Sequence, residues 1–214
     1  MSFNAARYMA DFARVLAAVD PDRVERIAER VHEAWRDRRT VFVFGNGGSA
    51  ASASHIAADL SKLTAPTTSS RRLRVHALNE SASAISAIAN DIDYSEVFAE
   101  QLRTFMQPGD VVIGLSTSGR SPNVIKAIEY ANANGATTVG IMGDHDAPLR
   151  RLALQVVVVD SKSVQQVEDT SMVIGHLVCL SVAARVAESL SHVHVHAHAP
   201  ARTGEHPAPF QRLN

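Results

Sequence analysis

The sequence is short of several things, and each shortage removes a class of protein. It holds one cysteine, Cys179. No disulfide can close within the chain, and a reducing compartment is the expected setting. Neither charge sign is in excess: 21 Lys+Arg stand against 22 Asp+Glu, a formal net charge of −1. That balance disfavours nucleic-acid binding through a strongly basic overall field, although it is compatible with a local basic patch. No apolar run reaches the roughly 18 residues a membrane-spanning helix needs. Arg7, Asp11 and Arg14 interrupt the N-terminal segment at helical spacing, unlike a signal peptide. The expectation is a cytoplasmic protein with no membrane and no nucleic-acid partner.

What is present is ordinary for a globular chain: 214 residues, 46% apolar and 20% charged. Such a length suits one α/β domain over residues 1–190 with an added arm better than two domains. Residues 3–37 carry two apolar stripes at helical spacing, Tyr8, Phe12, Val15, Leu16 and Val19, then Val24, Ile27, Val31, Ala34 and Trp35. Between them, Asp20 is placed to cap the second helix and Pro21 to open it. The hairpin needs a packing partner, either its own domain or another subunit.

From Val41 the period changes. Val41–Phe44, Val111–Leu115, Thr138–Met142 and Val156–Val159 are continuous apolar runs, the pattern of strands buried on both faces. Arg74–Leu78 is a weaker fifth strand. Helical segments are expected at Ala50–Leu63, Ala82–Ala89, Ser95–Phe105, Asn123–Ala133, Pro148–Leu154 and Gln166–Leu190. The alternation predicts a three-layer α/β sandwich with a parallel sheet. From residue 191 onward, His192, His194, His196 and His198 alternate with Val and Ala ahead of a Pro-rich stretch, which reads as a disordered tail.

Two strand ends look built for an anion. Gly45-Asn46-Gly47-Gly48-Ser49 lies between a strand and a helix, where glycines permit close approach and the helix N-terminus favours negative charge. Ser116-Thr117-Ser118-Gly119-Arg120-Ser121 follows a second strand and offers four hydroxyls around one glycine. Open α/β sheets bind ligands at such carboxyl ends. Neither loop is a Walker motif or a dinucleotide fingerprint, so a small phosphorylated metabolite fits better than a nucleotide. Either loop could equally be a plain turn.

His55 and Asp59 share a helix face at i,i+4, and Glu168 and His176 lie eight residues apart on the last helix. Two imidazoles and two carboxylates would suit Zn²⁺ or a similar divalent ion, provided Glu168 and His176 lean together across about 12 Å of helix rise. The plainer alternatives are a surface His–Asp hydrogen bond and a Glu that favours a helix start.

GNGGSAASASHIAADL, GLSTSGRSPNVIKAI and QQVEDTSMVIGHL together resemble the sugar isomerase (SIS) fold family and, within it, the phosphoheptose isomerase group, over about residues 5–190. The resemblance implies conversion of sedoheptulose 7-phosphate to D-glycero-D-manno-heptose 7-phosphate by a homotetramer with active sites between subunits. It implies substrate contacts from Asn46, Gly47, Gly48, Ser49, Ser116, Thr117, Ser118 and Ser121, with Asn90 and Asp91 toward the sugar. It also implies zinc held by His55, Asp59, Glu168 and His176, with Asp59 and His176 as catalytic acid–base groups. Six positions depart from the family pattern. Asp59 replaces Glu, Glu168 replaces Gln, Lys62-Leu63 replaces Gly-Arg, and Gln165 and Ser52 each replace Asp. They cluster toward the sugar end and leave the phosphate end intact. Metal-dependent aldose–ketose isomerisation is therefore expected. The alternative is a non-catalytic SIS-fold protein that senses phosphosugars or binds a replication initiator.

Overall fold

The apolar runs form the middle of the molecule. In the computed structural model, which describes residues 3–64 and 71–197, β1 (Thr40–Gly45) and β3 (Val111–Ser116) are buried along their whole length. With β2 (Arg74–Ala77), β4 (Thr137–Gly143) and β5 (Gln155–Val159) they make a five-stranded, all-parallel sheet in the order β2-β1-β3-β4-β5. The chain leaves β1 for β2 on one side and returns to β3 on the other. The β1/β3 boundary is thus the topological switch point, where a crevice opens beyond the strand ends.

Helices α2 (Pro21–Arg36), α3 (Gly48–Leu63) and α8 (Val164–Ala197) cover one face around Ile27, Val31, Val43, Ile56, Leu60, Ile113, Ile174 and Val182. On the other face lie α5 (Ala99–Phe105), α6 (Pro122–Ala133) and α7 (Pro148–Leu152), around Phe42, Phe44, Phe98, Leu102, Ile128 and Met142. The three-layer sandwich is the architecture the periodicity predicts. The helical arm is present too: Asp20 accepts from the Asp22 N–H at 3.0 Å, and Pro21 opens α2.

Three expectations are modified. Ser95–Phe105 is not one helix. Asp93 caps a separate 3₁₀ turn, Tyr94–Glu96, and Val97 and Phe98 then turn into the core before α5 begins. The last helix does not stop near Leu190 but continues to Ala197, as Val and Ala between the histidines allow; His198 and the rest of the expected tail lie outside the described residues. Finally, α8 is long and apolar enough to cross a membrane by length and composition alone. Here it is a core helix, with Val167, Ile174, Val178, Val182 and Val186 buried against the sheet and its neighbours.

α8 and α3 run side by side in the same direction, because Glu168 meets Gly48 and, two turns later, Gly175 meets Ile56. A Cβ at Gly175 would collide with the Ile56 side chain, so this glycine sets the close approach. Cys179 is buried in the same seam. Burial, with the charge of Asp59 adding, pushes its thiol up to about 12. A raised thiol pKa keeps the thiol almost wholly protonated at pH well below that value. Iodoacetamide at pH 9 is therefore expected to leave Cys179 unmodified in the folded protein and to alkylate it fully in guanidinium. The helix α1 (Ala5–Ala17), by contrast, has no buried residue. It meets α8 through Tyr8, whose hydroxyl donates to Asp169 Oδ2 at 2.9 Å.

Candidate functional site

Gly45 of β1 pairs with Leu115 of β3, so the two hydroxyl- and glycine-rich loops leave the same end of neighbouring strands. After Gly45, Asn46 leads to Gly47 at φ +56, a left-handed conformation that favours glycine, and α3 starts at Gly48. Among the described residues no side chain caps α3, whose Ala50 N–H closes instead on the Gly47 carbonyl at 3.0 Å; Ser49, 7% exposed, faces into the turn.

The β3 loop is fixed by its own hydroxyls. Ser116 Oγ lies 3.0 Å from Ser121 Oγ and accepts from the Gly119 N–H at 3.1 Å. Ser118 Oγ accepts from the Arg120 N–H at 3.2 Å. Gly119, at φ +66, passes so close to Met142 and Ala147 that a Cβ would lie 2.5 and 2.9 Å from their Cε and Cβ. Thr117, Ser118 and Ser121 remain half-exposed around this turn, a ring of donors and acceptors suited to a phosphate ester. The Arg120 guanidinium is turned away, onto the Asp146 carbonyl.

Asparagines join the loops, and sequence reasoning missed most of them. Asn46 and Asn123 exchange two amide hydrogen bonds, each 2.9 Å, across the switch point, and Tyr94 donates its hydroxyl to Asn46 Oδ1 at 3.1 Å. Asn123 is 1% exposed. Asn79 holds Gly45 from the other side, donating to its carbonyl at 2.6 Å and accepting from its N–H at 3.2 Å. Asn46 is therefore a strut between the loops in this structure. The available signal was an Asn shortly after each of three strand ends, Asn46 after β1, Asn79 after β2 and Asn123 in the first turn of α6 after β3. Asn90 and Asp91 sit exposed at the C-terminal end of α4 (Ala82–Asp91), where Asn90 Nδ2 donates to Asp91 Oδ1 at 2.7 Å. No hydrogen bond ties them to either loop among the described residues.

Two turns along α3 the second feature appears. His55 Nε2 and His176 Nε2 are 3.1 Å apart, and they lie 3.5 and 3.7 Å from Asp59 Oδ2. For zinc held at about 2.0–2.1 Å by each ligand, tetrahedral edges are about 3.3–3.4 Å long, so this triangle has the dimensions of one face of such a site. The other Asp59 oxygen, Oδ1, points toward Lys62 Nζ at 3.9 Å. The expected fourth ligand does not join them. A Cβ at Gly48 would collide with both Glu168 carboxylate oxygens, so Glu168 lies against the N-terminus of α3 and the demanding lean toward His176 is not made. The reason is electrostatic as well as geometric: the positive end of α3 attracts a carboxylate. Three ligand atoms with one side open are the arrangement of catalytic rather than structural zinc sites.

The SIS domain family matches residues 7–143. The chain is 36% identical over 172 residues to the phosphoheptose isomerase of Chlorobaculum parvum, covering 80% of this chain and 82% of that one. It is 39% identical over 147 residues to the phosphoheptose isomerase of a Nitratiruptor species, covering 69% and 78%. The solved structure of the phosphoheptose isomerase of Neisseria gonorrhoeae superposes with a TM-score of 0.76 at 26% identity, over 84% of this chain and 96% of that one. The chain belongs to the SIS domain family and groups there with the phosphoheptose isomerase enzymes.

Proposed function

We propose that the protein is a metal-dependent isomerase of a phosphorylated ketose, with sedoheptulose 7-phosphate as its substrate and the corresponding aldoheptose 7-phosphate as product. The observation that carries this reading is the placement of the His–Asp–His triangle two turns along α3 from the strand-end loops. The N-terminus of α3 abuts the phosphate-type loops, and His55 lies seven residues on, about 10 Å by helix rise. An extended carbon chain advances about 1.25 Å per bond, so C2 of a heptose 7-phosphate stands about 9 Å from its phosphorus, whereas a pentose 5-phosphate reaches only about 6 Å.

The phosphate goes to the β3 loop, where the Gly119 turn and the hydroxyls of Thr117, Ser118 and Ser121 meet it. The Glu168 carboxylate occupies the N-terminus of α3 and repels a second anion there. Isomerisation removes a proton from C1 of the ketose and returns one to C2, while the O1 hydroxyl proton passes to O2. Asp59 Oδ1, directed away from the imidazoles, serves as the base at carbon, and His176 moves the proton at oxygen. His55, Asp59 and His176 would hold a divalent ion, zinc by the donor set, which when bound supplies Lewis-acid stabilisation of charge on those oxygens. The apolar stripe of α1, only half-buried in the single chain, suits packing against further copies in a homo-oligomer, a tetramer by the family resemblance. A cytoplasmic setting accords with the free thiol of Cys179.

Incubation with sedoheptulose 7-phosphate in D₂O, followed by NMR, tests the reading. Aldose should form with solvent deuterium at C2, activity should stop on chelation, and it should return with Zn²⁺. Saturable phosphosugar binding without turnover in the metal-loaded protein would instead identify a sensor. A further expectation concerns Glu168. Glu168→Gln removes a negative charge from the phosphate end, and like charges at partly solvated sites cost roughly 1 kcal/mol. The KM for the phosphosugar should fall about fivefold with kcat little changed; a rise in KM would show that the carboxylate contacts the sugar.

A further inference from the structure

At the opposite end of the sheet lies a feature that the isomerase site does not use. Thr40 and Arg74 pair where β1 and β2 begin. Around them Arg38, Arg71, Arg72 and Arg74 line a surface cleft of about 300 Å³. β1 is six residues long, which puts this cleft about 20 Å from the loops at its other end. We infer that the cleft is a binding site for a linear oligophosphate, either a free pyrophosphate or tripolyphosphate or the phosphate tail of a nucleotide.

The local charge is only partly compensated, by Asp37 facing Arg71. Arg38, Arg72 and Arg74 form no salt bridge among the described residues; Arg74 donates only to Thr40 Oγ1, at 2.9 Å. The two nearby carboxylates are hydrogen-bonded elsewhere. Asp37 takes two hydrogen bonds from Arg36 at 2.8 and 3.0 Å. Asp110, 1% exposed, accepts from the Thr40 and Gln107 N–H groups at 2.8 Å each. The adjoining segment 65–70, outside the described residues, contains neither Asp nor Glu. Arg38, Arg72 and Arg74, beside Arg71, carry like charges that an anion with several phosphates would relieve, and guanidinium forks match phosphate oxygens in pairs.

Arg38 adds an independent observation. Helix α2 ends with the Arg39 N–H donating to the Ala34 carbonyl at 2.8 Å, and Arg38 sits between them at φ +58. Glycine is the usual residue at such a left-handed cap. An arginine held there bears backbone strain that its side chain does not need for the fold, and it is aimed into the cleft. Size argues for a small ligand: 300 Å³ is at the lower end of the roughly 300–1,000 Å³ typical of small-molecule pockets. A chain of net charge −1 also lacks the broad field that a long nucleic acid follows.

The sole tryptophan, Trp35, is a built-in reporter, since the Arg71 guanidinium lies 5.0 Å from its ring centroid. The experiment is a titration of Trp35 emission with sodium tripolyphosphate in EDTA, repeated with ATP and with a single-stranded oligonucleotide. A saturable change is expected with tripolyphosphate, weakened about tenfold or more by Arg72→Ala/Arg74→Ala and by Arg38→Gly, as loss of charge-assisted hydrogen bonds requires. Arg38→Gly should keep or raise Tm, because it relieves the left-handed strain, so weaker binding there cannot be misfolding. Isomerase activity of the double variant without oligophosphate should match the parent. A response to tripolyphosphate alone identifies a free oligophosphate, and a response to ATP as well identifies a nucleotide tail. No saturable change, equal affinity in the variants, or tighter binding of the oligonucleotide through the same arginines would overturn the assignment.

Discussion

His176→Ala is expected to lower kcat for ketose–aldose isomerisation by about 10²–10⁴-fold, the usual worth of a positioned acid–base group. Thermal stabilisation by inorganic phosphate should survive, because His176 stands two helical turns beyond the loops that receive the phosphate. Its ring is also half-exposed, so little packing is lost. Asp59→Asn keeps the shape and removes the charge facing both imidazoles, at 3.5 and 3.7 Å. It should therefore match His176→Ala in rate loss, and a double variant should be scarcely worse than either single one, as expected of residues acting as a unit. Steady-state kinetics with a phosphate-dependent melting curve separates the outcomes. Full activity in either variant would remove that residue from the mechanism.

Gly119→Ala is expected to damage both stability and substrate affinity. The residue sits at φ +66, where an L side chain costs about 1–2 kcal/mol. Its new Cβ would also press on Met142 Cε and Ala147 Cβ at 2.5 and 2.9 Å, a kind of overpacking worth about 1–3 kcal/mol. Since the contacts are to side chains at a loop, part of the strain would be relieved by displacing the loop. The Gly119 N–H then leaves Ser116 Oγ, and the ring of hydroxyls around the phosphate loses its shape. Urea unfolding should show a loss of about 2–4 kcal/mol, and KM should rise at least tenfold while kcat, set at the far end of the substrate, changes less. Unchanged KM with lowered stability would place the phosphate elsewhere.

Much of the architecture was legible because its signals are local. The four continuous apolar runs could be accommodated only in a sheet covered on both faces, and Asp20-Pro21 marked the start of α2 within a residue. The position of the two loops was legible for the same reason: each follows a buried apolar run, and those two strands lie side by side. What sequence spacing could not reveal was how helices are set against one another. Glu168 and His176 share a helix, but which of them meets His55 depends on the parallel packing of α3 and α8 at Gly175 and on the pull of the α3 N-terminus on Glu168. The asparagine struts were invisible for a similar reason, since Asn46 and Asn123 are 77 residues apart and pair only once β1 and β3 are neighbours. The arginine cleft likewise gathers residues from a helix end and the next strand while the overall charge stays near zero.

The most direct test of the whole account is a crystal structure of the zinc-loaded protein soaked with sedoheptulose 7-phosphate. The account predicts the phosphorus within the turn formed by Ser116–Ser121, with C1 and C2 beside His55, Asp59 and His176. A sugar phosphate whose reacting carbons lie away from those three side chains, or whose phosphate sits outside that turn, would contradict it.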